Sequence, residues 1–391
     1  MRIAIIGLGH LGMVTAGCLT KGGHEVLGID RDRAKVSAIS QGRSPIDEPG
    51  LARLIRGAWL RGRIRAIDRI SAGVFECDLI LVCVDTPPTA KGSLSISRVL
   101  QVCERLHQAD RESKAIPLVV IRSTLPPGAF DSALARFSAP GGKLRLVYNP
   151  DFSREGSAVA DFLNPTHIVI GARDQREARK LRLLYKSCKA PVFVTTWNNA
   201  EILKCAENAF HALKVTFANE IGSICESFGA DGEAVMSLLC ADTRLNISSA
   251  YLHPGLPFGG PCLDKDVNAL LGCARQRDLT TPLLRAILQS NAKHFERIVQ
   301  SLKSKGYSVG FLGLGHKANV RDHRGSHLLA LAERLHTDGV KVNIFDPHLS
   351  KQQVSADSLP STSLPLARSS REILRRSDIV FAPRKTRSAA H

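Results

Sequence analysis

The N-terminal segment holds a glycine turn between a strand pattern and a helical pattern. The β-branched run Arg2-Ile3-Ala4-Ile5-Ile6 leads directly into Gly7-Leu8-Gly9-His10-Leu11-Gly12, and a helical pattern covers residues 13–21. A second strand pattern, Glu25-Val26-Leu27-Gly28-Ile29, ends at Asp30, 18 residues after Gly12. A G-x-G-x-x-G motif alone is a weak signal, but the strand, the helix and the acid at this distance make it specific. The segment therefore predicts a βαβ unit that binds a dinucleotide.

The glycines and Asp30 also predict which dinucleotide is bound. Glycines allow a tight turn and a close approach of the pyrophosphate to the N-terminus of the helix. Asp30 can accept hydrogen bonds from both hydroxyls of the adenosine ribose, and its charge would repel a 2′-phosphate. We therefore expect NAD rather than NADP. The adjacent Arg31 is the residue through which NADP would be accepted instead.

Three later apolar runs each end in a polar loop, and we expect them to extend a parallel sheet. They are residues 79–84 before Asp85-Thr86-Pro87, residues 117–121 before Arg122-Ser123-Thr124, and residues 144–147 before Asn149-Pro150-Asp151. In open α/β sheets, the loops at the carboxyl ends of the strands form the binding site. The alternative for Thr86 and Thr124 is that they only cap turns.

A long helical pattern covers residues 198–227. Lys204, Asn208 and His211 lie at successive i, i+4 and i+7 positions, so one side of this helix offers a cation, an amide and an imidazole. Single polar groups on a helix are usually solvated. Three ligand-type side chains in register beside an apolar stripe favour a binding role.

A second glycine-rich strand end, Val309-Gly310-Phe311-Leu312-Gly313-Leu314-Gly315-His316-Lys317, begins another α/β unit. Its partner strand, residues 340–345, ends at Asp346. The predicted fold class is therefore α/β, with two Rossmann-like, doubly wound parallel-sheet domains joined by a long central helix. The predicted domains are residues 1–197, 198–300 and 301–391.

Composition limits the class of protein and its compartment. The 391 residues are 44% hydrophobic and 23% charged, which is ordinary for a soluble enzyme of two or three domains. The N-terminus lacks a secretory signal and no window approaches the ~18 apolar residues of a membrane span, so we expect a cytoplasmic protein. The formal charge of +17 comes from Lys and Arg dispersed along the chain, which fits anionic ligands better than nucleic acid.

The ten cysteines include one in an unusual context. They contain no C-x-x-C pair, and no His cluster has zinc-ligand spacing, so neither a metal site nor a disulfide framework is predicted. Cys262 lies in a glycine turn, Gly259-Gly260-Pro261-Cys262-Leu263, where Lys265 would lower the pKa of the thiol and Asp266 would orient an acid. A nicotinamide oxidoreductase with such a nucleophile can oxidise an alcohol past the aldehyde. The alternative is a buried thiol without a chemical role.

With these features placed, the chain resembles the UDP-glucose/GDP-mannose dehydrogenase family along nearly its whole length. The motifs that carry the resemblance are Gly7-Leu8-Gly9-His10-Leu11-Gly12, Pro45-Ile46-Asp47-Glu48-Pro49-Gly50-Leu51, Ser123-Thr124, Asn149-Pro150, Arg154-Glu155-Gly156, Phe217-Ala218-Asn219-Glu220-Ile221 and Gly259-Gly260 before Cys262. Residues 211–220 and the pair Leu245-Asn246 are most similar to the GDP-mannose branch of the family. The UDP-glucose branch is the alternative.

The resemblance implies a four-electron oxidation of the C6 hydroxyl of a nucleotide sugar to a carboxylate, GDP-mannose to GDP-mannuronate, with two NAD molecules used in succession. Cys262 would form a thiohemiacetal with the aldehyde, and the thioester that follows would be hydrolysed. Lys204 would stabilise the developing oxyanion, and Asp266 and Asn208 would position water or the substrate oxygen. Glu155 would take part in acid/base chemistry and in sugar binding.

The resemblance also implies the residues that contact the two ligands, and the partner. NAD would contact Gly7, Gly9, His10, Leu11, Gly12, Asp30, Lys35, Thr86, Thr124, Lys265 and Arg324, with Thr124 also in catalysis. The nucleotide sugar would contact Glu155, Lys204, Asn208, His211, Asn219, Tyr251, His253, Gly259 and Lys317. Residues 1–197 would bind NAD, residues 198–300 would dimerise and carry the catalytic Cys262, and residues 301–391 would bind the nucleotide sugar. A homodimer or higher homo-oligomer is implied, and no nucleic acid or membrane partner is.

Six positions depart from the family pattern. They are Asp85 for Gly, Asp151 for Glu, His253 for Arg, Pro261 for Ser, Asp264 for Pro and Gly325 for Glu. Pro261 removes a backbone donor, and Asp264 would raise the pKa of the Cys262 thiol. The chain also stops soon after Phe381, so we expect a truncated C-terminal domain. A catalytically impaired nucleotide-sugar binder and a two-electron hydroxyacid dehydrogenase are the alternatives to an active enzyme.

Overall fold

The computed structural model forms two compact units, residues Met1–His211 and Ala212–His391. It describes residues 1–89, 94–109, 117–138, 144–173, 175–186, 188–248, 255–259, 263–315, 323, 325–346 and 364–382. The domain boundaries predicted from the sequence stay a prediction.

The first unit is built on an eight-stranded sheet. Its strands are β1 (Arg2–Ile6), β2 (Glu25–Ile29), β3 (Ile64–Ile67), β4 (Leu79–Val82), β5 (Leu118–Ile121), β6 (Arg145–Tyr148), β7 (Ile168–Gly171) and β8 (Val192–Thr195). Their order across the sheet is β3-β2-β1-β4-β5-β6-β7-β8. All neighbours are parallel except β6 and β7. The order reverses between β1 and β4, and such a switch point is where doubly wound sheets bind ligands.

Helices cover both faces of this sheet. They are α1 (His10–Lys21), α2 (Arg33–Ser40), α3 (Leu51–Leu60), α4 (Ala72–Phe75), α5 (Ser97–Ala109), α6 (Ala158–Leu163) and α7 (Gln175–Leu184). Because side chains alternate along a strand, Ile3 and Ile5 of β1 pack in one core and Ala4 and Ile6 in the other. The near-continuous apolar character of the strands follows from this two-sided burial.

The long helix predicted from the sequence is present as α8 (Trp197–Ser227). It begins in the first unit and ends in the second. None of the helices in the described parts of the chain combines the length and apolar character of a membrane-spanning segment.

The second unit has a parallel sheet of three strands in its described part. These strands are β9 (Val309–Leu312), β10 (Val342–Phe345) and β11 (Ile379–Phe381), in the order β10-β9-β11. Its further helices are α9 (Gly232–Ala241), α10 (Leu263–Gln276), α11 (Pro282–Ser304), α12 (His327–Thr337) and α13 (Ser370–Arg376). The predicted α/β fold class with a long central helix is confirmed. The antiparallel pairing of β7 with β6 was not predicted.

The two units share one local geometry at the end of their first strand. In the first unit, Gly7 has a φ of 97°, and the Leu8 amide donates to Asp30 Oδ2 at 2.8 Å. In the second, Gly313 has a φ of 93°, and the Leu314 amide donates to an aspartate oxygen at the tip of β10, also at 2.8 Å. The glycine turn therefore occurs twice in the chain, and glycine is needed there for the same reason in both units. A left-handed residue must start the turn, which favours glycine.

Candidate functional site

Five of the predicted site residues follow strands that run in the same direction. Gly7 follows β1, Asp30 follows β2, Thr86 follows β4, Thr124 follows β5 and Glu155 follows β6. Because the carboxyl ends of parallel strands lie along one edge of a sheet, these five residues share that edge. Thr86 and Thr124 are half-buried, and Glu155 is exposed.

The glycine turn forms a cradle with room for a ligand on one side only. A Cβ on Gly7 would lie 2.7 Å from the carbonyl oxygen of Cys83, and a Cβ on Gly12 would lie 1.9 Å from the carbonyl oxygen of Gly7. A Cβ on Gly9 would meet only Asp85 Oδ1, at 3.6 Å. Gly7 and Gly12 therefore allow the backbone to close, and Gly9 leaves space at the N-terminus of α1. This arrangement fits a pyrophosphate.

Asp30 is held in a fixed orientation beside this cradle. Its Oδ2 accepts from the Leu8 amide, and its Oδ1 accepts from the Asp32 amide at 2.9 Å. The ammonium of Lys35 lies 3.5 Å from Oδ2. The carboxylate thus stands at the tip of β2, where an adenosine ribose would bind in this fold. Lys35 places a cation at the same position.

Glu48 connects the glycine turn with the loop that carries Glu155, and sequence reasoning assigned it no role. Its Oε1 accepts from the Ala158 amide at 2.8 Å, and its Oε2 accepts from the Gly156 amide at 2.9 Å. His10 Nε2 lies 2.8 Å from the same Oε2 and donates, since an ionised carboxylate only accepts. Burial by itself would raise the pKa of Glu48, but these three hydrogen bonds outweigh it and lower the pKa.

We expect Glu48→Gln to lower the free energy of unfolding by about 1–3 kcal/mol at pH 7. The side-chain NH2 of glutamine would then face N–H groups that also donate, so hydrogen bonds would be lost. The pKa of Glu48 is lowered by folding, so its contribution is present above the unfolded value of about 4.5 and is lost as pH falls through the folded value. The stability gap between wild type and variant should therefore shrink below about pH 4.5. Urea unfolding at pH 7, 5 and 4 measures it.

The control for this change is Glu76→Gln, which removes an exposed carboxylate that pairs with Arg2 at 3.2 Å. Exposed pairs contribute about 0–1 kcal/mol, so this variant should stay close to wild type. A gap for Glu48→Gln that is the same at every pH would contradict the role of the ionised carboxylate.

Lys204 lies near the loop that follows β6. Its ammonium is 5.3 Å from the centre of the Phe152 ring, within the range of a cation–π contact. Phe152 also lies beside His167, whose ring centre is 4.8 Å away and whose Nε2 pairs with Glu207 at 3.1 Å. Phe152 is three residues before Glu155, so these contacts bring Lys204 of α8 to the Glu155 loop.

A buried carboxylate fixes the start of α8. Glu201 is fully buried, and its two oxygens accept from the amides of Gly128 at 2.7 Å and Phe130 at 2.9 Å. Burial raises the pKa of Glu201. Because the partner amides follow Thr124 by only a few residues, Glu201 ties α8 to the Thr124 loop. Nothing in the sequence pattern singled it out, since an acid on a helix is usually solvated.

The remaining predicted residues are more widely distributed. Asn208, His211 and Asn219 are exposed along α8, and Asp266 lies in the first turn of α10. Gly259 has no room for a side chain, because a Cβ would lie 2.0 Å from His327 Nδ1. Tyr251, His253, Cys262, Lys317 and Arg324 lie outside the described residues, as does the side chain of Lys265. The roles assigned to the predicted site residues stay predictions.

A doubly wound sheet with a glycine cradle at its switch point and an aspartate at the tip of β2 defines a dinucleotide-binding protein. Residues 1–189 match the NAD binding domain of the UDP-glucose/GDP-mannose dehydrogenase family, residues 198–293 its central domain and residues 310–386 its UDP binding domain. The chain belongs to this family. The predicted family and NAD as the cofactor are thereby confirmed.

Known proteins of the family are similar to this chain over most of their length. A GDP-mannose 6-dehydrogenase of Azotobacter vinelandii is 40% identical over 356 residues, which cover 89% of this chain and 82% of the relative. A UDP-glucose 6-dehydrogenase of Bacillus subtilis is 33% identical over 355 residues, which cover 89% of this chain and 80% of the relative. The crystal structure of a ternary complex of GDP-mannose dehydrogenase from Pseudomonas aeruginosa superposes with a TM-score of 0.92 at 36% identity, covering 97% of this chain and 90% of that one.

Proposed function

We propose that this chain oxidises the C6 hydroxyl of GDP-mannose to the carboxylate of GDP-mannuronate. Membership of the family makes it an NAD-dependent nucleotide-sugar dehydrogenase. The observation that supports the proposal most is the convergence of the glycine cradle, Asp30 and the Glu155 loop at one sheet edge, with Lys204 beside that loop. The Azotobacter relative and the Pseudomonas structure, both named for GDP-mannose, support this substrate.

The cofactor fits the residues of the first unit. Gly7, Gly9 and Gly12 would hold the pyrophosphate at the N-terminus of α1, and Asp30 would bind the adenosine ribose. Bound NAD supplies the hydride acceptor for each of the two oxidations. His10 and Leu11 at the start of α1, with Lys35, Thr86, Thr124, Lys265 and Arg324, complete the proposed NAD contacts.

The covalent step belongs to Cys262. Its thiolate sulfur adds to the aldehyde carbon, and the carbonyl oxygen takes up a proton to give a thiohemiacetal. Loss of a hydride and of that proton produces a thioester. Water then adds to the thioester carbon, and the thiolate leaves as the C6 carboxylate forms. Sulfur suits this sequence because it both traps an aldehyde and departs as a thiolate.

Other side chains would stabilise charge and move protons. Lys204 would face the oxygen that becomes negative, and Glu155 would exchange the proton of the C6 hydroxyl. Asn208 and Asp266 would position the attacking water. The nucleotide sugar would be bound by a further set of residues, namely His211, Asn219, Tyr251, His253, Gly259 and Lys317.

UDP-glucose is the second candidate substrate, because the Bacillus relative named for it is also similar over most of this chain. A panel of sugar nucleotides, each with NAD and with NADP, separates the possibilities. We expect two NADH per GDP-mannose, a product mass that matches GDP-mannuronate, and little turnover with NADP because of Asp30. Preference for UDP-glucose would reverse the choice of substrate, and one NADH per substrate would indicate a two-electron dehydrogenase. Comparable turnover with NADP would indicate that Arg31 and Lys35 bind the 2′-phosphate of the adenosine ribose.

We also propose that the chain forms a homodimer through its central segment. The second unit exposes apolar side chains on successive helices, with Val215 of α8 exposed by 62% and Leu238 of α9 by 75%. Apolar helix faces of this kind are usually covered by a partner surface. Sedimentation should give a dimer, and Leu238→Glu should weaken it. A fully active monomer would contradict the proposal.

The nine cysteines in the described part of the chain are free thiols. This fits a reducing compartment. We therefore propose that the enzyme is cytoplasmic.

A further inference from the structure

A buried guanidinium lies behind the loops that carry Thr124 and Glu155. Arg122, at the end of β5, has a side chain only 3% exposed. Its Nη1 donates to Asn149 Oδ1 at 2.6 Å and to the Tyr185 hydroxyl at 2.9 Å, and its Nη2 donates to Asp151 Oδ1 at 2.7 Å. One side chain thus contacts the loop after β6 at two points and the segment after α7 at a third.

The partners of Arg122 are themselves held by further hydrogen bonds. The Tyr185 hydroxyl donates to Asn149 Oδ1 at 2.5 Å, and Asn149 Nδ2 donates to the carbonyl of Val169 in β7 at 2.8 Å. Ser153 Oγ donates to Asp151 Oδ2 at 2.5 Å. Both oxygens of Asp151 are therefore occupied, and one of them pairs with a buried cation. The orientation of the Asp151 carboxylate is therefore fixed by two side chains, Arg122 and Ser153.

The charge state of Arg122 follows from these contacts. Burial by itself would lower the pKa of the guanidinium, but Tyr185 and Asp151 outweigh it and raise the pKa above its ordinary value. The ring of Phe162 in α6 lies 5.7 Å from the guanidinium carbon. Arg122 thus stays charged, and removing one member of a buried pair leaves the other uncompensated.

We propose that the Arg122–Asp151 pair is a positioning device that holds Thr124 and Glu155 in register. Arg122 is two residues before Thr124, and Asp151 is four residues before Glu155. Ser123, between Arg122 and Thr124, donates from its Oγ to the carbonyl of Val84 at 2.6 Å. This hydrogen bond connects the Thr124 loop with the loop that carries Thr86. We expect the pair to act on the rate of turnover and not on ligand affinity, because the hydrogen bonds of both charged groups go to other protein side chains. This inference rests on the proposed function.

The test compares Asp151→Asn, Arg122→Lys and Tyr185→Phe in the full chain. A misplacement of about 1 Å costs on the order of a hundredfold in rate. We therefore expect kcat to fall about 10- to 100-fold in Asp151→Asn, with KM for NAD and for the sugar nucleotide within about threefold of wild type. The kcat of Arg122→Lys should fall by a similar factor, since an ammonium group cannot reproduce the two-pronged set of N–H donors of a guanidinium. Tyr185→Phe keeps the ring and should show a smaller fall with an unchanged fold.

Two controls separate positioning from general destabilisation. Leu106→Ala removes a fully buried side chain of α5 that makes none of these hydrogen bonds, and should lower the melting temperature without changing kcat below it. Glu104→Gln removes a carboxylate from an exposed pair with Arg136 at 3.3 Å and should change neither quantity. An unchanged kcat in Asp151→Asn, or an equal loss of kcat in Leu106→Ala, would overturn the inference.

A second measurement does not depend on turnover. The rate of amide hydrogen exchange at residues 122–125 and, apart from Pro150, at residues 149–157 should rise about tenfold in both loops together in Asp151→Asn. The same amides should be unaffected in Leu106→Ala. Exchange that rises in only one loop would contradict the coupling. If the wild-type chain turned over no sugar nucleotide, the proposed function would fail while this exchange result would still decide the positioning role.

Discussion

Cys262→Ala is expected to abolish formation of the uronate product, with a loss of at least a thousandfold. The reason is chemical, because no other group in the proposed site can add to the aldehyde and later leave from the thioester. NAD affinity should stay near that of wild type, since the glycine cradle and Asp30 are far from residue 262 in the sequence and form their contacts within the first unit. The product is measured by mass, and NAD affinity by titration.

The matched control is Cys240→Ala, which removes an exposed thiol of α9 and should leave product formation unchanged. Normal acid formation by Cys262→Ala would eliminate covalent catalysis and favour a two-electron dehydrogenase. Loss of both acid formation and NAD affinity would point instead to a disturbed fold.

Gly12→Ala is expected to weaken NAD binding by at least about a hundredfold and to lower the free energy of unfolding by about 2–4 kcal/mol. The added Cβ would lie 1.9 Å from the carbonyl oxygen of Gly7, which is backbone and cannot rotate away. Gly7 itself has a φ of 97°, so the turn has little freedom to adjust. Titration with NAD and urea unfolding measure the two effects.

Gly57→Ala is the control for this prediction. Gly57 lies inside α3, where the atoms nearest to an added Cβ belong to the flexible tip of the Arg61 side chain, the first at 3.1 Å. Alanine is the better helix former, so stability should stay the same or rise by up to about 1 kcal/mol, and NAD affinity should not change. Wild-type NAD affinity in Gly12→Ala would show that the cofactor does not bind at this turn.

The glycine turn shows what could be predicted from local sequence. The strand β1, the turn, the helix α1 and the acid at the tip of β2 all depend on residues within about 30 positions of one another, and all were predicted correctly. Local backbone preferences suffice for this, since a left-handed residue requires glycine and a β-branched run favours a strand. The repeat of this geometry at Gly313 and Asp346 was visible for the same reason.

The strands β3, β7 and β8 were missed. Their length does not explain this, because β4, β5 and β6 also have four residues and were predicted. β3 and β8 are the edge strands of the sheet and are only partly buried, so they lack the fully buried apolar run of a central strand. The apolar run Ile168-Val169-Ile170 was the available signal for β7. Its antiparallel direction depends on how the chain crosses from β6, and no local pattern encodes that path.

The sequence by itself determined the family, the α/β class, the cofactor and a set of candidate site residues, because motifs of a few residues carry that chemistry. Only the tertiary structure showed which buried polar groups hold these candidates in place. Glu48 bonds to amides 108 and 110 residues away, Glu201 to amides 71 and 73 residues away, and Arg122 to a hydroxyl 63 residues away. A buried charge is stable only where distant segments supply its partners, so the role of each of these three residues became apparent only from the fold.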